Sequence, residues 1–563
     1  MSRFLLLMTI VAMLATACTD GGVDEPDDPN NPSNPNVNVY VLNYTSSDGN
    51  IVNPNRADAF GAKIIGNSYE KGEGVLVFDA PITYIGYSAF LDCNSLTSVT
   101  IPDSVTEIGQ SAFEGCRSLT SIYIPSSVTS IGSAAFYGCS SLTGVTIPDS
   151  VIEIGTHAFD GCRSLTSIKL PDNVTSIKSA TFLSCVSLTS VTIPDGVIEI
   201  GSSAFMGCGN LTEIKIPATV SLIGAQAFFC CSSLTSVTIP DSVIEIGEQA
   251  FYGCNSLAAF YGKFASADHR CLIVDGVLSY FAKVDCPTTY TIPDGVTEIG
   301  NTVFSNCEGL ISIIVPDGMT KIGSHAFYYC SNLAHINIPN NVTEIGKYAF
   351  YYCGSLTSIT IPDGITEIEA STFRGCRGLK NIAIPDSVTK IGDYAFSDCD
   401  GLTSVTIPDS VTEIGHGAFS ECIYLTSFYG KFASTDNRCL IVDSVLNSFA
   451  PAGLTTYVIP DSVTKIGDFA FYYCYELTSV TIPNSVTMIG RNAFAVCGRL
   501  ASIYCKPTTP PAVATDVNYW SAFDSNASDR TIYVPHNSVE AYKTAPHWSD
   551  YADAIVGYNF GEN

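Results

Sequence analysis

The sequence predicts a repeat solenoid, a β-rich rod of 23-residue coils. Three observations carry this reading: a Phe-x-x-Cys-x-x-Leu pattern that recurs at a fixed period, apolar residues that alternate with hydroxyl residues, and a composition led by Thr, Ser, Ile and Val. Of 563 residues only 14% are charged and 46% are hydrophobic, a balance that argues for a packed core and against disorder or a helical coiled coil. With 54 acidic and 26 basic residues the net charge is -28. Phosphate backbones and anionic headgroups repel such a chain, which excludes nucleic acid as an expected partner.

Residues 1–17 read as an export signal. An apolar run from Phe4 to Leu14 follows Arg3 and is too short to span a bilayer, and it leads into Ala15-Thr16-Ala17-Cys18. Ala15-Thr16-Ala17 suits a signal peptidase, whereas Cys18 directly after small residues resembles the bacterial lipoprotein box, with the bulky Leu14 one place early. Either cleavage leaves Cys18 first, and lipidation of Cys18 is the preferred reading over free secretion. Residues 18–38, rich in Pro, Asn, Asp and Gly, predict a flexible tether. Membrane attachment is therefore expected through the N-terminal lipid alone. Residues 39–80 predict an N-terminal cap, with Gly72–Phe78 as the strand that covers the first coil.

The solenoid is predicted over residues 81–506. Its phenylalanines run from Phe90 to Phe251, from Phe304 to Phe419, and then Phe471 and Phe494, sixteen in all. Each has Cys three residues later and Leu three beyond that. In one unit, Val99 and Ile101 alternate with Ser98 and Thr100 as a half-buried strand requires, and Pro102 ends the strand for want of a donor. Val105, Ile108 and Phe113 then turn inward, with Gly109 at a turn that a side chain would obstruct. One coil cannot bury its own apolar face, so stability must come from stacking like residues on like. At about 4.8 Å per coil, about eighteen coils give a rod on the order of 90 Å long.

Two inserts, at about 260–290 and 428–457, are copies of one module. Phe260-Tyr261-Gly262-Lys263-Phe264-Ala265-Ser266 matches Phe428-Tyr429-Gly430-Lys431-Phe432-Ala433-Ser434, and Arg270 to Asp275 matches Arg438 to Asp443. Asp275-Gly276 between apolar runs predicts a two-residue hairpin, a signal that Asp443-Ser444 carries more weakly. Their aliphatic content favours a module that bends or spaces the stack over a docking site. Residues 507–563 predict a C-terminal cap, in which Ile532–Pro535 echoes a repeat strand, Ser538 to Trp548 forms a short helix, and Trp520 and Trp548 seal the last coil.

The repeat resembles the BspA-like, or Treponema pallidum type, leucine-rich repeats, whose unit is similar to L-x-x-I-x-I-P-x-x-V-x-x-I-G-x-x-A-F-x-x-C. This resemblance implies a leucine-rich repeat protein of a bacterial surface that binds host or neighbouring-cell macromolecules. The expected function is adhesion to an extracellular protein or glycoprotein. Surface glycan capture, with a polysaccharide as partner, and a structural envelope role are the alternatives.

No catalytic or metal site is expected. The seven histidines are scattered, no C-x2-C pair occurs, and no nucleophile elbow or phosphate loop appears. No cofactor is expected either. Sixteen of the 22 cysteines belong to the ladder, where neighbouring Cβ atoms should sit about 4.8 Å apart against the roughly 3.8 Å of a disulfide. Buried free thiols are the preferred reading. The column Glu107, Ser130, Glu153 and its continuation, with Lys321 and Lys390 among glutamates, reads as structural charge relief. Outward Ser and Thr form a hydroxyl face broken by Tyr123, Lys169, Lys215, His335, Asn337 and Tyr504. These six are the expected ligand contacts.

Overall fold

The computed structural model describes residues 40–514 and 521–561. The expected signal, tether and Cys18 lie outside the described residues, as does Trp520. Two compact units divide at the first insert: one comprises the residues up to Leu257 with Tyr261–Lys263, the other Ala258–Phe260 with the residues from Phe264 on. Both are solenoids.

Within a coil, Leu96–Thr100 is a strand in which Leu96 and Val99 are buried and Thr100 is exposed. Ile101, Val105, Ile108, Ala112, Phe113 and Cys116 complete the interior. A second, two-residue strand, Glu107–Ile108, follows the Pro turn and pairs in parallel with Ser130–Ile131 of the next coil. Register is thus 23 residues between regular coils, and the charge column stacks as expected: Lys321 Nζ lies 3.0 Å from Glu344, and Lys390 Nζ lies 3.0 Å from Glu367 and 3.8 Å from Glu413. Exposed pairs of this kind are screened by water and contribute little net stability, so the column relieves repulsion more than it stabilises.

The corner around each Phe is the closest seam. Ser111, Phe113 and Gly115 each donate their N–H to a carbonyl of the next coil, on Ser133, Ala135 and Tyr137, at 2.7–2.9 Å. The same three-bond pattern recurs from His325, Phe327 and Tyr329 to Lys347, Ala349 and Tyr351. Pointing alternate amides the same way requires left-handed backbone two residues before and two after the Phe, as at Ser111 (φ 54°) and Gly115 (φ 73°). Non-glycine residues such as Tyr329 (φ 56°) hold that conformation elsewhere, at a cost of order 1–2 kcal/mol that the two flanking bonds offset. The phenylalanines stack almost flat, at 5.4 Å and 1° for Phe113 on Phe136 and 5.2 Å and 7° for Phe327 on Phe350.

The ladder cysteines are free thiols, buried with few exceptions, and they are also donors: Cys116 Sγ reaches Phe90 O at 3.0 Å and Cys353 Sγ reaches Phe327 O at 3.2 Å. Burial pushes the thiols up, to about 12 for Cys139 and Cys330, which leaves them protonated and unreactive at neutral pH.

The Gly after each Ile permits close approach rather than an unusual turn. A Cβ on Gly155 would sit 2.4 Å from Ser133 N and 2.6 Å from Gly132 C. Two coils carry a side chain there, Lys178 and Glu369, and at both the parallel ladder breaks. One sheet ends at Glu153–Ile154 and the next begins at Ser176–Ile177; another ends at Glu344–Ile345 and its successor begins at Glu367–Ile368. The added atoms hold the two backbones beyond hydrogen-bond reach.

Both modules are hairpins with the expected two-residue turn. Cys271–Val274 pairs antiparallel with Val277–Phe281, and Cys439–Val442 with Val445–Phe449. Asp275 and Gly276 have φ of 50° and 80°, and Asp443 and Ser444 have 49° and 64°, the doubly left-handed turn that suits strand twist. Rather than protruding, each second strand takes the Glu-Ile position: Val277 and Leu278 pair with Glu298 and Ile299. The second hairpin also divides the core, giving Leu440 and Ala450 to one apolar cluster and Cys439, Leu446 and Phe449 to the other.

At the N-terminal end, the strand over the first coil is Tyr40–Ser46, antiparallel to Leu96–Thr100. Glu73–Phe78, expected in that place, pairs instead with the outer edge of Tyr40–Ser46, and its apolar residues pack inward. At the other end Thr531–Pro535 pairs with Ser502–Cys505, a helix spans Val539–Thr544, and buried Trp548 donates to Pro511 O at 2.8 Å.

Close approach at the Ile-Gly seam makes a contrasting pair of variants informative. Gly155→Ala should cost about 1–3 kcal/mol through overpacking, whereas Gly144→Ala, with nothing within 4 Å of its new Cβ, should change stability by less than about 0.5 kcal/mol. Urea midpoints of the two variants measure this, and equal shifts would contradict the packing described.

Candidate functional site

The hydroxyl face is not one continuous sheet. Its strands are short, and its sheets include pairs such as Ser167–Lys169 with Ser190–Thr192, while residues 212–216, 357–361 and 380–384 form no strand. Inward alternation persists there, since Ile214, Ile216, Ile359 and Ile361 are buried. Part of the hydroxyl array is also spent internally: Thr120, Thr143, Thr166 and Thr189 each donate to the threonine carbonyl one coil back, at 3.0–3.4 Å.

The six expected contacts fall in three places. Tyr123, Lys169 and Lys215 are exposed in one column of the first unit, with Thr146 and Thr192 between them. Tyr123 is 57% exposed, and Lys169 lies 3.9 Å from Asp172. His335 and Asn337, in the second unit, line a shallow depression with Ser312, Ile314 and Ser358. Tyr504 is half-buried at the C-terminal end, stacked on Tyr533 at 4.6 Å with Tyr558 edge-on at 5.4 Å.

A denser cluster lies on the corner face of the second unit, where coil register stacks the residues beside each Phe. Tyr328 stacks on Tyr351 at 4.9 Å, Tyr329 on Tyr352 at 5.1 Å, and His325 on Tyr348 at 4.7 Å. Within a coil the rings meet edge to face, Tyr328 with Tyr329 at 4.6 Å and Tyr351 with Tyr352 at 4.7 Å. In the following coil two arginines close the stacks. The Arg374 guanidinium lies 5.9 Å from the Tyr351 ring and 5.3 Å from Tyr394, and that of Arg377 lies 5.7 Å from Tyr352.

Carboxylates fix these arginines. Arg377 binds Asp398 through Nε and Nη2 at 2.7–3.1 Å, with Asp398 buried and the arginine side chain 56% exposed. Arg374 lies 3.7 Å from Glu421, and its buried Nε has no hydrogen-bond partner. Ser397 reaches Glu421 at 3.5 Å and accepts from Ser420 at 3.0 Å. Burial raises the Glu421 carboxyl above its ordinary range despite Arg374, and burial likewise raises the Tyr351, Tyr352 and Tyr472 phenols. Beyond this, Asp468 holds Arg491 at 2.7 Å and lies 3.8 Å from His416, while Tyr394 meets Phe469 edge to face at 5.3 Å.

Tyr351 and Tyr352 each have a tyrosine ring stacked from the coil before and a guanidinium group from the coil after, so their edges and the partly exposed guanidinium groups meet solvent. Tyr and Arg presented this way are the side chains that dominate protein recognition. The stacked rings offer little open face for a sugar. Sequence reasoning passed over this cluster, although the doublets Tyr328-Tyr329, Tyr351-Tyr352 and Tyr472-Tyr473 sit between the Phe and Cys where most coils have smaller residues or a Gly. Among the described residues no group of three or more His, Cys, Asp or Glu side chains is placed to hold a metal ion.

Coils with this period, inward Leu, Ile, Phe and Cys ladders, and recognition residues confined to the surface define a leucine-rich repeat protein. The chain matches the family described as BspA type leucine rich repeat region in six copies, over residues 74–186, 129–258, 279–359, 343–439 and 445–542. It belongs to that family. Among solved structures it is similar to a leucine rich cell surface protein from Faecalibacterium prausnitzii A2-165, with 31% identity over 65% of this chain and 86% of that one, at a TM-score of 0.40. A leucine-rich repeat protein from Bacteroides ovatus is 25% identical over 83% of this chain and 90% of that one, at 0.37. The leucine-rich repeat protein of T. pallidum is 24% identical over 46% of this chain and 84% of that one, at 0.21. No curated protein matches the chain. Proteins of this family are typically bacterial cell-surface proteins and generally non-enzymatic scaffolds, and leucine-rich repeat proteins generally bind other macromolecules. Among the described residues no helix is long and apolar enough to cross a membrane.

The raised Glu421 carboxyl yields a pH test. Because the folded chain holds this proton more tightly than the unfolded chain, the group costs stability as pH rises beyond the ordinary carboxylate range, and the cost is complete above the raised value. Glu421→Gln removes that dependence. Whatever its constant offset, the urea midpoint of the variant relative to the native chain should rise between about pH 4 and pH 7; a flat or falling difference would contradict the burial assigned to Glu421.

Proposed function

We propose that the chain is exported, lipidated on Cys18, and displayed on the outer surface of a bacterium, where it acts by adhesion to an extracellular protein or glycoprotein. In this reading residues 1–17 are removed, residues 18–38 link the lipid to the scaffold, and residues 39–80 and 507–563 close the ends of the solenoid of residues 81–506. The observation that carries the binding role is the concentration of Tyr and Arg on the corner face between His325 and Tyr473, supported on buried Asp398 and half-buried Glu421. A rigid platform of this kind loses little side-chain entropy when a partner docks.

A second reading, capture of a polysaccharide, draws on the C-terminal end. There Tyr504, Tyr558, Thr481, Lys506 and Asn559 line an open depression, and hydroxyl and amide groups beside aromatic rings suit a sugar. The column of Tyr123, Lys169 and Lys215 supplies a further protein-contact surface to be tested against the corner face.

Binding of the full chain to panels of matrix proteins, mucins and polysaccharides decides between them. Saturable protein binding is expected, weakened at least tenfold by Arg377→Ala combined with Tyr473→Ala, about 1.4 kcal/mol. Replacing Tyr123, Lys169 and Lys215 together by Thr should leave it intact. The opposite dependence would overturn the corner-face assignment. Polysaccharide binding lost with Tyr504→Ala would favour the second reading, and silence across all panels would contradict both.

A further inference from the structure

One position of the coil, the residue before the charge column, differs between the two units. In the regular coils of the second unit it is threonine, from Thr297 to Thr412 and again at Thr464 and Thr487. The hydroxyl there is spent on the coil before: Thr320 Oγ1 donates to Thr297 O, and Thr412 Oγ1 to Thr389 O, both at 3.1 Å. Thr106 and Thr129 do the same in the first unit, at 3.1 and 3.2 Å. From there on every second coil of the first unit carries isoleucine instead, at Ile152, Ile198 and Ile244. These side chains are 61%, 55% and 74% exposed. Their amides still donate to the coil before, to Thr129, Thr175 and Ser221, each at 2.9 Å. The backbone therefore runs as it does at threonine, and the side chain alone has changed. Folding does not call for the change, because it gives up a hydroxyl bond and leaves a large apolar group in water.

The charge column beside these isoleucines differs as well. In the second unit Lys321 and Lys390 answer Glu344, Glu367 and Glu413. In the first unit it runs Glu107, Ser130, Glu153, Ser176, Glu199, Leu222 and Glu245, with no cation. Among the described residues none of those glutamates has an ion-pair partner. Each isoleucine is thus followed by an exposed, uncompensated carboxylate, on Glu153, Glu199 and Glu245. Half-buried Leu222, whose strand pairs with those of Glu199 and Glu245, adds a further apolar residue between Ile198 and Ile244.

We propose that this face of the first unit, built from Ile152-Glu153, Ile198-Glu199 and Ile244-Glu245, docks a basic amphipathic α-helix of a protein partner. Two coils separate successive isoleucines by about 9.6 Å. Seven residues of α-helix rise about 10.5 Å, so apolar residues in heptad spacing meet one isoleucine after another. Residues three or four places further on share that helix face, where Lys or Arg reaches the glutamates. An extended strand repeats on one face at about 6.8 Å and about 13.6 Å and misses the spacing. Polyproline II repeats at about 9.3 Å but offers one residue per turn to a face, with no second row for the carboxylates. The net charge of -28 draws a basic segment in and opposes both a second copy of this chain and an anionic membrane. This surface belongs to the first unit and the tyrosine and arginine cluster to the second, so the proposal does not rest on the adhesion reading.

The test titrates the full chain into a fluorescent, Ala-rich helical peptide of about 20 residues, with Leu at every seventh position and Lys four residues after each Leu, and reads polarisation. Saturable binding is expected. Replacing Ile152, Ile198 and Ile244 together by Thr, the residue other coils carry there, should weaken it at least about tenfold. Ile244→Thr alone, at the most exposed of the three, should weaken it about threefold, which keeps the result readable if the triple variant loses stability. Replacing Glu153, Glu199 and Glu245 together by Gln should weaken binding and reduce its dependence on salt. A peptide of the same composition with its Leu residues scattered around the helix should bind at least about tenfold more weakly. No saturable binding up to about 100 μM chain, or binding indifferent to the isoleucine replacements or to the scattering of Leu, would overturn the proposal. The probe reports on the first unit alone, so this result and the panel result for the adhesion reading stand or fall separately.

Discussion

The structure depends on the amides of the Phe corner, which point forward into the next coil three at a time. Two left-handed residues per coil set this direction, and neither would hold alone in water. Where one regular coil follows another, each is fixed because its own N–H and the Phe N–H beside it are both bonded to the following coil. Once that seam closes, 23 residues separate equivalent atoms, and every other ladder follows from the register. Phe must lie flat on Phe, Cys must fall beneath the carbonyl of the Phe in the coil before, and Gly must follow Ile because the backbones have come too close for a Cβ.

Such a scaffold separates the residues that build from the residues that can be used. Inward positions admit little change, because each touches its copies above and below. Outward positions answer only to electrostatics and to the neighbour one coil away, so an aromatic doublet can repeat into a stack and arginines can close it. The corner face of the second unit exploits this freedom. Its tyrosines gain order from register rather than from a pocket, and Asp398 and Glu421 hold the arginines that finish the stacks.

Much of the fold was legible in the sequence, because the period, the Phe, Cys and Leu columns and the strand alternation are one-dimensional signals of stacking. The second hairpin shows the strength of such signals: Asp443-Ser444 adopts the same turn as Asp275-Gly276 although Ser is a poorer residue for it, since the paired strands dictate the turn. Less visible was the left-handed corner. Gly115, Gly138 and Gly161 hint at it, but Ser, Tyr and Asp fill the same place elsewhere and mask the backbone requirement. Breaks at Lys178 and Glu369 were equally hidden, because they arise from the closeness of two backbones rather than from a property of either residue. The candidate site escaped notice for a related reason. Attention to exceptions on the hydroxyl strand picked out Tyr123, Lys169 and Lys215, while the tyrosine doublets became a cluster only when 23-residue register brought them to within about 5 Å of one another.

Amide hydrogen exchange on the native full chain, resolved to short peptides by mass spectrometry, tests the role of the corner most directly. Slow exchange should recur every 23 residues at the residues flanking and including each Phe that a regular coil follows, in coils such as 354–376 that lack a hydroxyl-face strand as well as in those that have one. Protection confined to the hydroxyl-face strands, with fast exchange at the Phe corners, would contradict the claim that this seam holds the coils in register.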